Sequence, residues 1–354
     1  MKNIITNKDF CSNYVNTLSR TYIEGDCLGL GFTYSGLRVT FKGTSLKGKF
    51  ISKQFDTLYN CPYITVFVDI DSPSVEDLNN APMMKVTPEM DLVSGLPYGE
   101  HTVIIRKLSE ANNHQLLVKE LTTDGEFVEN KPETKRFTIE FYGDSLTAAF
   151  GMLGKISDPN VKTSEQNASI GYANLTCAAL NAEPNIVAMS GFPMALSPYL
   201  GDFKIRTVPT LFDCADGEPT KTYDELPKWD NKSHQPDLVV INLGANDRNH
   251  RNTYPEQEKA IWKAMEEKYH EFLDRLEKEY PNAKILMLSF HLYMRQGFDE
   301  VVKKVYAKRD HTRIYQLTIS PKGRPSFGGA WHPTKIMNKK YAEALIPFIK
   351  ENII

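Results

Sequence analysis

The sequence has 354 residues, 41% of them hydrophobic and 24% charged, which is enough to bury a sizeable core and to form two domains of ordinary size. Its 42 basic and 44 acidic residues leave a formal net charge of −2, and no block of Lys and Arg stands out, so we expect no nucleic-acid partner. No apolar run approaches the roughly 18–20 residues that cross a bilayer, so we expect no membrane partner.

The opening of the chain, MKNIITNKDFCSNYVNTLSR, has a polar residue every few positions and lacks the continuous apolar stretch of a signal peptide. We therefore expect a cytoplasmic protein, with secretion left open if a signal peptide has been removed. The five cysteines are widely scattered and include no C-x-x-C pair, which argues against a disulfide framework and against a zinc site. We interpret them as reduced thiols and predict no metal site.

From about Thr21 to Val128 the sequence alternates short β-prone runs with turn residues. The runs are LGLGFTYSGLRVTFKGT, YITVFVDID, LPYGEHTVIIRKL and QLLVKEL, and no convincing helical period lies between them. Strands of this length and spacing predict an all-β sandwich or jelly roll. We assign this domain to residues 1–133 and interpret the polar segment NKPETKR, residues 130–136, as a short linker.

Residues 134–354 predict an α/β domain with a mostly parallel sheet. Apolar β runs lie at Phe137–Tyr142, Asn185–Ala188, Leu238–Leu243, Ile285–Phe290 and Ile314–Ile319. The clearest helix covers residues 255–280, where apolar residues recur at helical spacing: Ile261, Met265, Tyr269, Phe272, Leu273 and Leu276. Ligands of such sheets bind beyond the carboxyl ends of the strands, so the residues that follow each strand are the candidates for a site.

Those strand ends supply each part that acyl transfer requires. Ser145 follows the first strand, Gly191 the second and Asn246 the third, and His332 comes after the last. A serine hydroxyl needs a base to become a competent nucleophile, and the oxyanion that forms needs hydrogen-bond donors. The sequence therefore predicts a serine, a base and two donors on one rim of the sheet.

The stretch RFTIEFYGDSLTAAFG leaves two interpretations of Ser145 open. A β run ends at Gly143, and a small-residue, helix-like segment follows. Ser145 at this corner is either a nucleophile with a free Oγ or the N-cap of a helix. We interpret Asp144 as a hydrogen-bond organiser of the corner and Asp247 as a structural residue that ties down its own loop.

His332 has one competitor as the base. His291 ends the run ILMLSFH and so lies on the same rim of the predicted sheet. It is either an alternative base or a histidine of the pocket wall or core.

Four blocks, YGDSLTAAFG, the glycine of MSGFP, NLGANDRN and WHP, resemble the successive motifs of the SGNH (GDSL-type) hydrolases, in order. The β half also resembles the N-terminal jelly roll of carbohydrate esterase family 2, through LSRTY, GFTYSGLRVTFKGTSLKGKF, ITVFVDI and LPYGEHTVIIRKL. KWDNKSHQPDLVVINLGAND and WHP resemble that family too. The resemblance covers nearly the whole chain and implies an α/β SGNH-hydrolase domain after a jelly-roll domain.

The resemblance also implies roles for individual residues. Ser145 corresponds to the nucleophile and His332 to the general base. The backbone N–H groups of Ser145 and Gly191 and the side chain of Asn246 correspond to the oxyanion hole. Hydrolysis of an O-acetyl ester on a sugar through an acyl-enzyme, without a metal or an organic cofactor, is the implied reaction.

The sequence departs from the family pattern beside the histidine. Many SGNH enzymes place an Asp three residues before it, and some place one two residues before it, but here those positions are Gly329 and Ala330. We therefore predict a Ser–His dyad in which Nδ1 of His332 is held by a main-chain oxygen of residues 326–330.

The prediction for function is a carbohydrate O-acetyl esterase whose partner is an acetylated, plant-type oligo- or polysaccharide. Trp331 and Trp229 are candidate walls of the substrate site, and a packing role for Trp229 is equally open. Two alternatives remain: a short-chain acylhydrolase or lipase-like esterase on non-sugar substrates, and a non-catalytic saccharide-binding homologue. The sequence does not indicate the oligomeric state or the sugar hydroxyl that is deacetylated.

Overall fold

The structure, a computed structural model, describes residues 2–54, 60–111, 114–130, 136–158, 160–201, 204–291, 297–320 and 322–354. Its N-terminal strands are β1 (Ile4–Thr6), β2 (Asn16–Leu18), β3 (Thr21–Glu24), β4 (Cys27–Leu30), β5 (Gly36–Gly43), β6 (Leu46–Gln54), β7 (Tyr63–Val68), β8 (Met84–Lys85), β9 (Glu89–Val93), β10 (Gly99–Lys107), β11 (His114–Thr123) and β12 (Glu126–Val128). The later strands are β13 (Thr138–Gly143), β14 (Glu183–Ala188), β15 (Leu238–Asn242), β16 (Lys284–Phe290) and β17 (Ile314–Ile319). The helices are α1 (Val75–Asn80), α2 (Tyr172–Ala179), α3 (Ala245–Thr253), α4 (Glu258–Glu279), α5 (Phe298–Tyr306) and α6 (Lys335–Asn352).

The N-terminal strands form two antiparallel sheets. One has the order β3-β4-β11-β6-β9 with β1 beside β11, and the other has the order β12-β5-β10-β7-β8 with β2 beside β5. Alternate residues of both sheets meet in one core, which includes Leu30, Phe50 and Leu116 from the first sheet and Val39 and Ile105 from the second. The prediction of a β-rich N-terminal half is therefore confirmed, and the structure adds that both of its sheets are antiparallel.

Helix α1 was not predicted from the sequence, and neither were several strands outside the four β-prone runs, among them β1, β2, β6 and β9. The start of α1 is fixed by a capping box, in which the Asp77 N–H donates to Ser74 Oγ (3.1 Å) and the Ser74 N–H donates to Asp77 Oδ2 (2.8 Å). A helix of six residues is too short to show a hydrophobic period, so only the cap could have indicated it.

The C-terminal half is built on a parallel sheet of order β14-β13-β15-β16-β17. Neighbouring residues of β13 point to opposite faces: Phe141 packs in the core under α2 and α6, and Tyr142 packs in the core under α4 and α5. Burial on both faces explains the continuous apolar runs that predicted these strands. All six core positions predicted for the long helix are buried in α4. Among the described helices, none combines the length and the apolar character needed to span a membrane.

The linker between the halves falls mostly on residues 131–135, which lie outside the described residues. The domain boundary at residues 133 and 134 therefore stays a prediction. β12 precedes this segment as part of a sandwich sheet, and β13 follows it as part of the parallel sheet.

A buried arginine of the N-terminal half bonds to residues of the C-terminal half. Arg20, between β2 and β3, is fully buried and pairs with Glu140 of β13 at 3.2 Å. Its Nη1 donates to the carbonyls of Leu211 (3.1 Å), Phe212 (2.8 Å) and Cys214 (2.7 Å). Buried charges are tolerated only when paired and hydrogen-bonded, so this network locks the sandwich against β13, the strand that leads to Ser145.

Candidate active site

Ser145 lies on the tight corner that follows β13. The Asp144 carbonyl accepts from the N–H groups of Thr147 (3.1 Å) and Ala148 (3.0 Å), and a Cβ at Gly143 would lie 2.0 Å from Thr147 Oγ1. The closeness of the turn therefore requires glycine at position 143. Ser145 is 9% exposed, with its side chain reaching the rim of the sheet.

The helix-like segment expected after Ser145 is a series of turns. Ala149 and Gly151 have φ of +60° and +64°, in the left-handed region that an α-helix cannot include. Within the described residues 145–158 no helix is present, and α2 begins only at Tyr172. The interpretation of Ser145 as a helix N-cap is therefore wrong.

The structure brings Ser145 and His332 together. Nε2 of His332 lies 2.8 Å from Ser145 Oγ, and Nδ1 lies 3.2 Å from the Gly329 carbonyl oxygen. A carbonyl can only accept, so Nδ1 carries the ring proton and Nε2 is left to accept from the Ser145 hydroxyl. Among the described residues, no carboxylate accepts a hydrogen bond from this ring. The geometric prediction of a main-chain oxygen from residues 326–330 is confirmed.

A glycine contact positions the carbonyl that holds the ring. The Gly329 N–H donates to the Gly151 carbonyl (2.7 Å), and the Gly328 N–H donates to the His332 carbonyl (2.7 Å). A Cβ at Gly151 would lie 2.6 Å from the Gly329 oxygen. Ala330 and Trp331 then have φ of +47° and +63°, which turns the chain so that His332 faces Ser145.

The surroundings of His332 favour its neutral form. Burial lowers the pKa of the imidazole below its ordinary value, although hydrogen bonds to the main chain of Gly329 and Ala330 oppose the shift. Phe150 meets the ring edge to face, with centroids 4.8 Å apart. Phe150 was not among the predicted site residues, and in the sequence only its place shortly after the Gly-Asp-Ser corner indicates it.

Three hydrogen-bond donors lie at the corners beside Ser145. The backbone N–H groups of Ser145 and Gly191 donate to no acceptor among the described residues. Asn246, in the first turn of α3, donates through Nδ2 to the Phe192 carbonyl (3.0 Å), and its second contact, to Asp144 Oδ2, is long at 3.5 Å. One amide hydrogen of Asn246 is therefore only weakly engaged and is available to a bound oxyanion.

Two buried carboxyls organise these corners. Asp144 accepts from the Leu146 N–H (3.0 Å), and Asp247 accepts from the N–H groups of Met194 (2.9 Å), Ala195 (2.8 Å) and Leu196 (2.9 Å). Burial raises the pKa of both groups, and each of these N–H bonds opposes the rise. Asp247 therefore has the structural role expected of it, but the segment that it holds is residues 194–196 and not its own loop.

The remaining candidates lie in different places. His332, and not His291, contacts Ser145. Nδ1 of His291 lies 3.0 Å from Ser320 Oγ. Trp331 adjoins His332 and is 59% exposed. Trp229 packs instead against a cluster that includes Tyr22 of the N-terminal half, which favours the packing role left open for it.

The chain belongs to the GDSL-like lipase/acylhydrolase family, whose model matches residues 141–352. That match covers the corner of Ser145 and also Gly191, Asn246 and His332. The protein is accordingly a serine ester hydrolase with the SGNH hydrolase fold.

Two proteins of described activity are similar to this chain in sequence. An acetylxylan esterase / glucomannan deacetylase of Cellvibrio japonicus is 23% identical over 344 residues, which are 96% of this chain and 88% of that protein. The cellulase/esterase CelE of Acetivibrio thermocellus is 26% identical over 299 residues, or 79% of this chain. The match spans only 34% of the length of CelE.

Solved structures show the same fold. An acetyl xylan esterase from the rumen bacterium Butyrivibrio proteoclasticus superimposes with a TM-score of 0.79 at 21% identity, covering 98% of each chain. A family two carbohydrate esterase from Clostridium thermocellum, in complex with cellohexaose, gives a TM-score of 0.76 at 22% identity, covering 95% of this chain and 98% of that one.

Proposed function

We propose that this protein is a carbohydrate O-acetyl esterase in which Ser145 is the nucleophile and His332 is the general base. The observation that carries the proposal is the 2.8 Å contact between His332 Nε2 and Ser145 Oγ. Because Nδ1 donates its proton to the Gly329 carbonyl, Nε2 is unprotonated and can accept the proton of the Ser145 hydroxyl.

Acylation begins when Ser145 Oγ attacks the acetyl carbonyl and His332 Nε2 takes the hydroxyl proton. The carbonyl oxygen becomes an oxyanion, which the N–H groups of Ser145 and Gly191 and the amide of Asn246 stabilise. When the tetrahedral intermediate collapses, the sugar oxygen leaves with the proton from Nε2. The acetyl group stays on Ser145.

Deacylation repeats these steps with water. His332 takes a proton from water as the water attacks the acetyl–Ser145 ester, and the same three donors receive the second oxyanion. The bond to Ser145 Oγ breaks as Oγ takes the proton from Nε2, and the product leaves as acetic acid, which ionises to acetate in water. Every group in this cycle belongs to the chain itself, so the proposed reaction needs no cofactor.

The substrate class rests on the relatives and on the rim of the site. The Cellvibrio japonicus relative is an acetylxylan esterase / glucomannan deacetylase, CelE is a cellulase/esterase, and the solved carbohydrate esterase is in complex with cellohexaose. In this chain the exposed ring of Trp331 stands beside His332, where it can pack against a sugar ring. An acetylated oligosaccharide is therefore the substrate that we propose.

The test compares acyl groups and substrates. Acetate should be released from acetylated xylan or glucomannan oligosaccharides, and kcat/KM for an acetyl ester should exceed that for the matching octanoyl ester by a large factor. Equal values would support the lipase-like alternative. Tight saccharide binding with no acetate release would support the non-catalytic alternative, and Ser145→Ala is the control for background hydrolysis.

The N-terminal sandwich is further proposed to be a jelly roll. Its strand orders β4-β11-β6-β9 and β5-β10-β7-β8 support this. Among these eight strands, β4, the first, pairs with β11, the last, and β5, the second, pairs with β10, the last but one, as in a jelly roll. Nuclear Overhauser effects between β4 and β11 and between β7 and β8 test the order. Effects that pair β4 directly with β6 would contradict it.

A further inference from the structure

A buried carboxylate of the N-terminal half reaches the turn that carries Gly191. Glu110 lies between β10 and β11, is fully buried, and accepts through Oε2 from the Ser190 N–H at 2.8 Å. Ser190 immediately precedes Gly191. The β-sandwich therefore contacts the main chain of the proposed oxyanion hole directly.

Gly191 lies in a tight turn formed by residues 189–192. The Phe192 N–H donates to the Met189 carbonyl (3.3 Å), and Gly191 at the third position has φ of +82°. A positive φ at that position alone is typical of a type II turn. Types I and II differ by a flip of the central peptide, here Ser190–Gly191, so a change of type would turn the Gly191 N–H away from its present direction.

Each flank of that peptide has its own hydrogen bond. Glu110 holds the Ser190 N–H on one side, and Ser197 Oγ donates to the Gly191 carbonyl (2.6 Å) on the other. Glu110 is held in turn by Gln166, which accepts from the Glu110 N–H (3.1 Å) and donates to Glu110 Oε1 (3.4 Å). The Ser190 N–H is thus bonded to a carboxylate whose own position is held by Gln166.

Charged groups around Glu110 come from both halves. Burial raises the pKa of Glu110 to about 7, the Ser190 N–H and Lys107 oppose the rise, and Asp144 adds to it. Lys107 is itself fully buried and donates to the Gly31 carbonyl at 2.7 Å. A carboxyl enclosed in this way costs free energy to bury, which is consistent with a positioning task.

We infer that Glu110 is a positioning residue for ester hydrolysis: through Ser190 it fixes the peptide whose N–H, on Gly191, donates to the oxyanion. The inference rests on the proposed function in one respect, namely that the Gly191 N–H donates to the oxyanion. It assigns to the sandwich a share in catalysis, beyond any contact with substrate.

The test compares three variants of the full chain. Glu110→Ala removes the acceptor, and Glu110→Gln keeps an oxygen that can accept from Ser190. Glu183→Ala is the matched control, because Glu183 pairs with Arg106 across the same interface but at the opposite end of β14 from Ser190.

Glu110→Ala should lower kcat on a soluble acetyl ester by about 10-fold to 10²-fold with KM changed less than about twofold, since one oxyanion donor is worth about 10²–10³ in kcat. Glu110→Gln should stay within about threefold of wild type, and Glu183→Ala should keep kcat even if its melting temperature falls. A kcat for Glu110→Ala equal to that of Glu183→Ala would overturn the inference.

A second readout does not depend on activity. Combined Ser and Gly labelling selects the amide resonances of Gly36, Gly95 and Gly191, and the Gly191 resonance is the one that is lost from this set in Ser190→Ala. The Gly191 resonance should shift or broaden in Glu110→Ala and not in Glu183→Ala. An unchanged Gly191 resonance in Glu110→Ala would overturn the inference even if the wild-type protein proved not to be an esterase. Absence of wild-type activity on every acetyl ester, with the resonance shifted as expected, would count against the proposed function alone.

Discussion

The main-chain carbonyl of Gly329 lies 3.2 Å from Nδ1 of His332, where a Ser-His-Asp triad has its carboxylate. The carbonyl fixes the tautomer and the direction of the ring, as a carboxylate would. It adds no negative charge beside the imidazolium that forms in the transition state. In the proposed mechanism, catalysis therefore depends on the orientation of His332 and on the donors around Ser145.

Replacing Ser145 by Ala should lower kcat by at least about 10⁴-fold, because serine hydrolases that lose the nucleophile keep little more than the catalysis of binding and the oxyanion hole. The melting temperature should change little, since the side chain of Ser145 lies at a corner held by the main chain of Asp144. Steady-state kinetics and a thermal melt check both parts. Turnover near the wild-type value in a folded variant would exclude Ser145 as the nucleophile.

Asn246→Ala should lower kcat by about 10²–10³, the typical effect of one oxyanion donor, with a smaller change in KM. Asn252→Ala provides the control, because Asn252 lies on the same helix α3 and is exposed. An effect below about threefold for Asn246→Ala would reduce Asn246 to a structural residue that bonds the Phe192 carbonyl.

Gly151→Ala tests the contact that places the Gly329 carbonyl. The new Cβ would lie 2.6 Å from that oxygen, so His332 should lose its acceptor geometry and kcat should fall by about tenfold or more. Gly25→Ala is the matched control, because Gly25 has φ of +63° against +64° for Gly151 and a Cβ at Gly25 would meet no atom within 4 Å.

Both alanine variants should be destabilised by about 1–2 kcal/mol through the left-handed backbone alone. Only Gly151→Ala should lose activity as well. If both variants keep full kcat, the closeness of Gly151 and Gly329 does not matter for catalysis.

The pH dependence of activity should reflect the lowered pKa of His332. A general base works when neutral, and a pKa below the ordinary value of about 6.5 keeps the imidazole neutral to lower pH. The acidic limb of kcat/KM should therefore have its midpoint below about pH 6.5. An NMR titration of the His332 ring should give the same midpoint, and a ring pKa above about 6.5 would contradict the expected shift.

The strands of the parallel sheet and the long helix were predictable because the burial of their side chains is visible as a pattern in the local sequence. β17 was predicted with its observed bounds, and the six apolar positions of α4 are all buried, because burial imposes a period that local sequence displays. The order of the four motif blocks likewise identified Ser145, Gly191, Asn246 and His332 as candidates before the structure placed them together.

Other features depend on contacts between distant segments. Ala149 is a good helix former, yet its left-handed backbone ends any helix after Ser145, and nothing in its neighbours indicates this. The approach of Gly151 to Gly329 and the reach of Glu110 to Ser190 join segments far apart in sequence. No local period or motif encodes such pairs, so only the folded chain reveals them.

The most direct test of Ser145 as an activated nucleophile is covalent labelling with an aryl phosphonate that reacts with activated serines, followed by peptide mass mapping. We expect a single label on Ser145, with loss of activity in proportion to labelling. His332→Ala should slow labelling by at least about 10³-fold, because the base that activates Ser145 is removed. A label on another residue, or an unchanged labelling rate in His332→Ala, would contradict the proposed dyad.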